Sequence, residues 1–116
     1  MNTIDLKGLK QWQAANRPFL LVNVLDREAF EKEHIPGSKN VPLDHEDFVG
    51  EVGRLAGTKD RTIAVYCAST QCDASSKAAE RLDAAGFKHV YDFEAGMQAW
   101  NKEGASKQPS RSGVRR

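Results

Sequence analysis

Apolar residues follow two different periodicities along this chain. Residues 5–15 repeat apolar side chains at the spacing of an amphipathic helix, namely Leu6, Leu9, Trp12 and Ala15. Residues 19–25 form a nearly continuous apolar run, which is typical of a strand that is buried on both faces. The beginning of the chain therefore predicts a helix followed by a buried strand.

The same alternation continues along the chain. Further helices are predicted over 27–32, 44–55 and 75–85 and after Gly96, and further strands over 61–66 and 89–93, with a short extended piece at 40–43. Asp26 is a favoured N-cap for the second helix, and Gly86 is a favoured residue for ending the helix over 75–85. Strands that alternate with helices predict an α/β fold with a central parallel sheet and helices on both faces.

Cys67 directly follows the predicted strand over 61–66 and precedes the helix that is expected to begin near Ser75. In parallel sheets, binding and catalytic sites lie beyond the carboxyl ends of the strands. The unpaired N–H groups and partial positive charge of a helix N-terminus favour a thiolate over a thiol. Cys67 is therefore predicted to be a reactive nucleophile with a lowered pKa. The alternative is a buried cysteine without chemistry at a strand end.

Composition and charge limit the classes of protein to consider. The 116 residues fit one domain, no run of about 18 apolar residues is present, and the N-terminus lacks the pattern of a secretory signal. We therefore expect a cytoplasmic protein without a membrane partner. Residues 105–116 hold four basic residues and no acid, which leaves 13 basic against 16 acidic residues elsewhere. We predict a domain over 1–104 and a disordered basic tail over 105–116, whose four charges are too few to indicate nucleic-acid binding.

Three blocks of the sequence match one known pattern in order and spacing. They are the run 21–42, which contains His34-Ile35-Pro36-Gly37-Ser38; the run 63–91, which contains Cys67 and Ser75 to Leu82; and the run Glu94 to Trp100. The blocks resemble a single rhodanese domain, and the resemblance covers residues 4 to about 102. The resemblance implies the rhodanese-like three-layer fold, a central parallel sheet with helices on both faces.

The resemblance also implies sulfur transfer. It implies that the Cys67 thiolate attacks the outer sulfur of a donor such as thiosulfate, a polysulfide or a protein persulfide, and carries it as a persulfide to a thiol acceptor or to cyanide. Backbone N–H groups after Cys67 would hold the negative charge. These loop residues are Ala68, Ser69, Thr70, Gln71, Asp73, Ala74 and Ser75. A partner protein in a sulfur relay is a further option, and neither a cofactor nor a metal is implied.

The loop after Cys67 departs from the family pattern. Common members reach a basic residue six positions after the cysteine and often place Gly and Arg in the loop, whereas residues 68–74 contain no Gly, Lys or Arg. Without a fixed positive charge, the loop predicts that thiosulfate, a dianion, is a poor donor. Asp73 is expected to cap the helix and face outward. Asn23 and Leu25 replace the family's usual Asp and Arg, a change expected to affect packing more than chemistry.

Cys72 lies five positions after Cys67 in the same loop. One interpretation is a resolving thiol, which attacks a persulfide or sulfenic acid on Cys67 and leaves a Cys67–Cys72 disulfide. The other is a small loop residue without chemistry, and the sequence leaves both open because disulfide formation depends on the separation of the two Cα atoms. Zinc binding is not expected, because the cysteines and three histidines lack ligand spacing.

The remaining polar candidates are expected to be structural. His34 lies in the family's turn, and His45 and His89 are expected at the surface or at the entry to a helix. Glu94 and Gly96 are placed by the resemblance at a strand end, where they would shape the pocket.

Three other functions compete with sulfur transfer. The first is a thiol-redox switch that uses Cys67 and Cys72, and the second is a non-catalytic rhodanese-type binding module. The third is a phosphatase or arsenate reductase, which needs an Arg six positions after the cysteine to clamp an oxyanion. Asp73 stands at that position, so this third function is disfavoured.

Overall fold

The computed structural model describes residues 2–107 as a five-stranded sheet with helices around it. In chain order the elements are β1 (Asn2–Thr3), α1 (Leu6–Ala14), β2 (Leu20–Asn23), α2 (Arg27–Lys32), β3 (Lys39–Asn40), α3 (Phe48–Ala56), β4 (Thr62–Tyr66), α4 (Ala74–Ala84), β5 (His89–Phe93) and α5 (Gly96–Lys107). The strands lie in the order β1-β5-β4-β2-β3, and every neighbouring pair is parallel. The predicted α/β fold with a central parallel sheet is confirmed.

Two apolar cores form, one on each face of the sheet. On β4, Ile63 and Val65 pack with residues of α3 and α4, whereas Ala64 and Tyr66 pack with residues of α1 and α5. Successive side chains of a strand point to opposite faces, so a continuous apolar run supplies both cores. Cys67 belongs to the core beneath α3 and α4.

Aspartates fix the starts of the first three helices. Asp5, Asp26 and Asp47 each accept a hydrogen bond from the backbone N–H three residues later, at 2.8, 2.8 and 3.2 Å. The prediction that the third helix begins at residue 44 is wrong, because Asp47 is the N-cap of α3. An N-cap residue has non-helical backbone angles, so residues 44–47 form turns before the helix.

Smaller differences lie at the edges of the sheet and at the chain end. β1 was not predicted, and β3 covers residues 39–40 instead of the extended piece at 40–43. α5 runs to Lys107, three residues into the segment predicted as a tail, and residues 108–116 lie outside the described part of the chain. Among the residues described, no helix has the length and apolar character needed to cross a bilayer.

Candidate active site

The loop that carries Cys67 is held between the N-termini of two helices. Cys67 follows the last residue of β4, and α4 begins seven residues later at Ala74. From the other side, the first turn of α5 donates two backbone hydrogen bonds, Met97 N–H to the Cys67 carbonyl at 2.9 Å and Gln98 N–H to the Ala68 carbonyl at 2.8 Å. The start of the loop is thereby fixed to the end of β5, as expected for a site at the carboxyl ends of parallel strands.

Gly96 makes this attachment possible. Its φ of +61° lies in the left-handed region, and a Cβ atom here would overlap the Cys67 carbonyl oxygen and lie 3.0 Å from the carbonyl carbons of Cys67 and Ala68. Only glycine allows α5 to begin in such close contact with the Cys67 peptide. The resemblance placed Gly96 at the pocket. In the structure, Gly96 allows α5 to begin close enough to the Cys67 peptide to hold the start of the loop.

The two cysteines of the loop interact with each other. The Cys67 thiol, which is fully buried, donates a hydrogen bond to the Cys72 carbonyl at 3.4 Å, and each thiol shifts the pKa of the other. Cys72 is partly exposed, and both cysteines are free thiols. The structure therefore brings together the two thiols that the sequence placed five residues apart.

The expectation of a lowered pKa at Cys67 is wrong for this arrangement. Burial raises the pKa of the Cys67 thiol, and the Cys72 thiol raises it further, against the lowering effect of the Ser75 hydroxyl and amide. At Cys72, burial also raises the pKa, but hydrogen bonds from Cys67 and from the amides of Ala68 and Ala74 outweigh it and leave the pKa lowered. The pKa values of the two thiols therefore differ in the direction that burial predicts, lowered at the more exposed Cys72 and raised at the buried Cys67.

The loop amides do not all converge on one sulfur. The N–H of Cys72 donates to the Ser69 carbonyl at 3.0 Å, and the N–H of Gln71 donates to the Ser69 hydroxyl at 3.3 Å. These two amides are used to close turns within the loop, contrary to the prediction that the whole loop points its N–H groups at Cys67. The N–H group of Ser75 lowers the pKa of Cys67, whereas the N–H groups of Ala68 and Ala74 lower the pKa of Cys72.

Asp73 and Ser75 occupy the start of α4. Asp73 is the N-cap residue by position, but its side chain makes no capping hydrogen bond and instead pairs with Lys77 at 3.3 Å on the surface. The prediction that Asp73 faces outward is confirmed, and its carboxylate stays out of the site. Ser75 is only 1% exposed and turns inward toward Cys67.

Two residues near Cys67 were missed by the sequence analysis. Asp92 of β5 is 1% exposed, and neither carboxylate oxygen has a hydrogen-bond partner in the described part of the chain. Burial raises its pKa, the Ser75 hydroxyl lowers it and the charge of Glu94 raises it. A polar residue in a strand pattern is usually assigned to an exposed face, so the sequence carried no signal that this one is buried.

The second missed residue, Lys32, lines an open cleft beside the loop. This cleft has a volume of about 680 Å³, and its lining residues include Ala68 and Ser69 from the loop, Met97 and Gln98 from α5, and Lys32 from α2. Lys32 supplies a positive charge that the loop itself lacks, although Glu33 lines the same cleft.

The histidines and the altered strand positions have structural contacts. His34 bonds the Phe30 carbonyl through Nδ1 at 2.8 Å and stacks on the Phe30 ring, and the Nδ1 atom of His45 accepts from the Asp47 N–H at 3.0 Å. Asn23 is buried and accepts from the Leu25 N–H at 2.9 Å. The predicted roles of His34 and His45 in a turn and at a helix entry agree with these contacts.

Comparison with known proteins places this geometry in a family. The family model for the rhodanese-like domain matches residues 5–103. YrkF of Bacillus subtilis is 30% identical over 97 residues, which are 84% of this chain and 49% of YrkF, so the chain spans about half of that relative. The thiosulfate sulfurtransferase GlpE of Pseudomonas syringae is 36% identical over 84 residues, 70% of this chain and 71% of GlpE.

A solved structure agrees with the sequence comparisons. The crystal structure of the Alr3790 protein from Anabaena sp. superposes with a TM-score of 0.75 at 31% identity, covering 87% of each chain. By sequence and by fold, this chain belongs to the rhodanese-like domain family.

Proposed function

We propose that this protein is a sulfurtransferase that carries sulfane sulfur as a persulfide on Cys67. The observation that supports this most directly is the position of Cys67 at the carboxyl end of β4, with the Ser75 amide and hydroxyl acting on its sulfur. GlpE, a relative across 70% of this chain, is named as a thiosulfate sulfurtransferase. YrkF carries the provisional name of a sulfur carrier protein.

The proposed reaction has two displacement steps. In the first, the Cys67 sulfur bonds to the outer sulfur of a donor, and the remainder of the donor leaves with the bonding electron pair. In the second, an acceptor thiolate takes the outer sulfur and the electron pair returns to Cys67. Ser75 would stabilise the negative charge on Cys67 in both steps, because hydrogen-bond donors that are already in place need no reorganisation.

The donor and acceptor are proposed to enter through the cleft beside the loop. Cys67 is fully buried, but its neighbours Ala68 and Ser69 line the cleft, which makes the cleft the proposed route to the reacting sulfur. Thiosulfate should remain a poor donor, because Glu33 opposes the positive charge of Lys32 in the cleft and the loop has no cation of its own. A polysulfide or a protein persulfide is the preferred donor.

The activity is proposed to take place in a reducing compartment such as the cytoplasm, because a working thiol must stay reduced. Residues 1–104 are proposed to form the sulfur-carrying unit, and a protein acceptor would dock at the cleft.

Intact-mass spectrometry tests the proposal. Reduced protein incubated with polysulfide should gain one sulfur atom, located on Cys67 by peptide mapping and removed by cyanide, while thiosulfate in parallel gives less loading. Cys67→Ser should abolish loading with an unchanged circular dichroism spectrum, and Cys72→Ser is the matched control within the same loop. Full loading of the Cys67→Ser protein would refute Cys67 as the carrier, and faster loading from thiosulfate than from polysulfide would refute the predicted donor preference.

A second candidate function, a thiol-redox switch, is favoured by the hydrogen bond that the Cys67 thiol donates to the Cys72 carbonyl. With a lowered pKa, Cys72 is the sulfur that would attack an oxidised Cys67 and close a disulfide. Mild peroxide should then remove two hydrogens from the protein mass and link the peptides of Cys67 and Cys72. Wild-type protein that keeps both thiols free under the same conditions, without this crosslink, would exclude the switch.

A further inference from the structure

The two cysteines of the loop differ in their access to solvent. The Cys67 side chain is 0% exposed and belongs to the core beneath α3 and α4. Cys72 packs against the same core but is partly exposed. An acceptor thiolate has to touch the outer sulfur of a persulfide in order to take it. A persulfide on Cys67 is therefore shielded from a large acceptor, and sulfur stored there needs a way out.

The backbone of the loop brings Cys72 close to the Cys67 sulfur. The Cys67 thiol donates a hydrogen bond to the Cys72 carbonyl at 3.4 Å. Because a carbonyl oxygen lies about 2.4 Å from the Cα of its own residue, the Cys72 Cα is within about 6 Å of the Cys67 sulfur. A persulfide on Cys67 extends about 2 Å beyond that sulfur. The distance that remains is one that a cysteine side chain spans.

The turn that carries Cys72 adjoins the cleft beside the loop. The Cys72 N–H donates to the Ser69 carbonyl at 3.0 Å, and the Gln71 N–H donates to the Ser69 hydroxyl at 3.3 Å. Ser69 itself lines the cleft, so Cys72 is hydrogen-bonded directly to a residue of the cleft wall. An acceptor that docks at the cleft therefore lies next to the turn that carries Cys72, the more exposed of the two thiols.

The pKa values of the two thiols suit them to different tasks. Burial raises the pKa of Cys72, but hydrogen bonds from Cys67 and from the N–H groups of Ala68 and Ala74 outweigh it, whereas burial leaves the pKa of Cys67 raised. The larger thiolate fraction makes Cys72 the readier attacking group, and the more basic Cys67 is the poorer leaving group. Sulfur should therefore rest on Cys67 and pass to Cys72 when an acceptor draws it off.

We propose that Cys72 is a second sulfur carrier, which takes the outer sulfur from the buried Cys67 persulfide and hands it to an acceptor thiol at the cleft. This inference rests on the proposed sulfur transfer, in which Cys72 becomes the first thiolate to act on loaded Cys67. The acceptor served in this way is a thiol on a peptide or protein too large to reach Cys67. Cyanide is small enough to take sulfur from Cys67 directly.

Both transfers balance. The Cys72 thiolate bonds to the outer sulfur of the Cys67 persulfide, the bond between the two persulfide sulfurs breaks, and its electron pair goes to Cys67 Sγ. The outer sulfur keeps its proton, so one negative charge is present before and after. The acceptor thiolate then bonds to the same outer sulfur, and the electron pair returns to Cys72. One S–S bond forms for each that breaks, so neither an oxidant nor a reductant is required.

The test follows sulfur from loaded protein to two acceptors of different size. Protein loaded with polysulfide and freed of excess reagent is mixed with cyanide or with a short synthetic peptide that has a single cysteine. The sulfur remaining on Cys67 is then followed by intact mass and peptide mapping. Cys72→Ser keeps the backbone carbonyl that accepts from Cys67, and it should load fully and release sulfur to cyanide at an unchanged rate. Its transfer to the peptide should be at least about 10-fold slower, because buried Cys67 would react only from a minor open state, populated at about 10% or less.

Two further variants complete the test. Thr70→Ala, at an exposed position of the same loop, should keep the wild-type rates with both acceptors. Cys72→Ala keeps an apolar contact with the core and serves if Cys72→Ser does not fold.

Three results would overturn the inference, and they differ from one another. A Cys72 variant that supplies the peptide at the wild-type rate would show that Cys67 transfers sulfur directly. A variant slowed equally with cyanide and with the peptide would show that Cys72 only supports the loop. Wild-type protein that gains no sulfur on Cys67 would fail before any acceptor is added, and that result alone would also refute the proposed sulfur transfer.

Discussion

Substitution of Gly96 by alanine should detach the Cys67 loop from α5. The added Cβ would overlap the Cys67 carbonyl oxygen, and that carbonyl cannot move away without losing the hydrogen bond from Met97 N–H at 2.9 Å. The neighbouring bond from Gln98 N–H to the Ala68 carbonyl, at 2.8 Å, would be disturbed by the same shift. The perturbation therefore acts on backbone, which has less freedom to adapt than a flexible side chain.

The expected cost has two parts. A non-glycine residue in the left-handed region costs about 1 kcal/mol or somewhat more, and each lost backbone hydrogen bond costs about 0.5–1.5 kcal/mol. Together these place the loss in the free energy of unfolding of Gly96→Ala at about 2–5 kcal/mol. For a domain of this size, that corresponds to a fall in melting temperature of about 8–20 °C.

Gly57→Ala is the matched control for Gly96→Ala. Gly57 has a φ of +82°, and a Cβ atom there would meet nothing within 4 Å, so this variant carries the left-handed strain without the clash. Thermal unfolding by circular dichroism and sulfur loading by intact mass should be measured for both variants. Gly57→Ala should lose about 1 kcal/mol and load sulfur normally, whereas Gly96→Ala should lose more and load poorly. Equal melting temperatures with normal loading in both would refute the role assigned to Gly96.

Three further predictions concern buried polar groups. Asp92→Asn should raise the free energy of unfolding at pH 7 by about 1–3 kcal/mol. Because the folded-state pKa of Asp92 is raised, the wild-type protein keeps its full stability below the unfolded pKa of about 3.9 and loses part of it as pH rises through the folded pKa. The gain from Asp92→Asn should therefore shrink toward pH 4 in urea titrations. Tyr66→Phe should cost about 1–3 kcal/mol in the same assay, because it removes the hydroxyl that accepts from the buried Ile35 N–H at 3.0 Å; no loss would contradict this. Cys72→Ser should lower the pKa of Cys67, seen as an alkylation profile moved to lower pH, since Cys72 raises that pKa; a profile moved upward would contradict it.

The sequence by itself determined the architecture and the position of the reactive loop. The apolar runs at 19–25 and 61–66 are typical of strands buried on both faces, and Asp26 and Gly86 mark helix ends through local hydrogen bonding and backbone freedom. The order of strand, Cys67 and helix then places the thiol at the carboxyl edge of the sheet. These features depend on neighbours along the chain, which a sequence pattern records. β1 escaped prediction because two residues are too few for any periodicity.

The chemistry of the site was decided by tertiary structure. Proton affinity depends on burial and on groups brought in from other elements, so the pKa of Cys67 is raised although the helix N-terminus alone favoured a lowered one. Asp92 and Lys32 reach the site from β5 and α2, far from Cys67 in sequence. Desolvation and contact between distant residues exist only once the chain is folded. The sequence pattern could therefore predict which residue is the nucleophile, but not the direction in which the pKa of its thiol shifts.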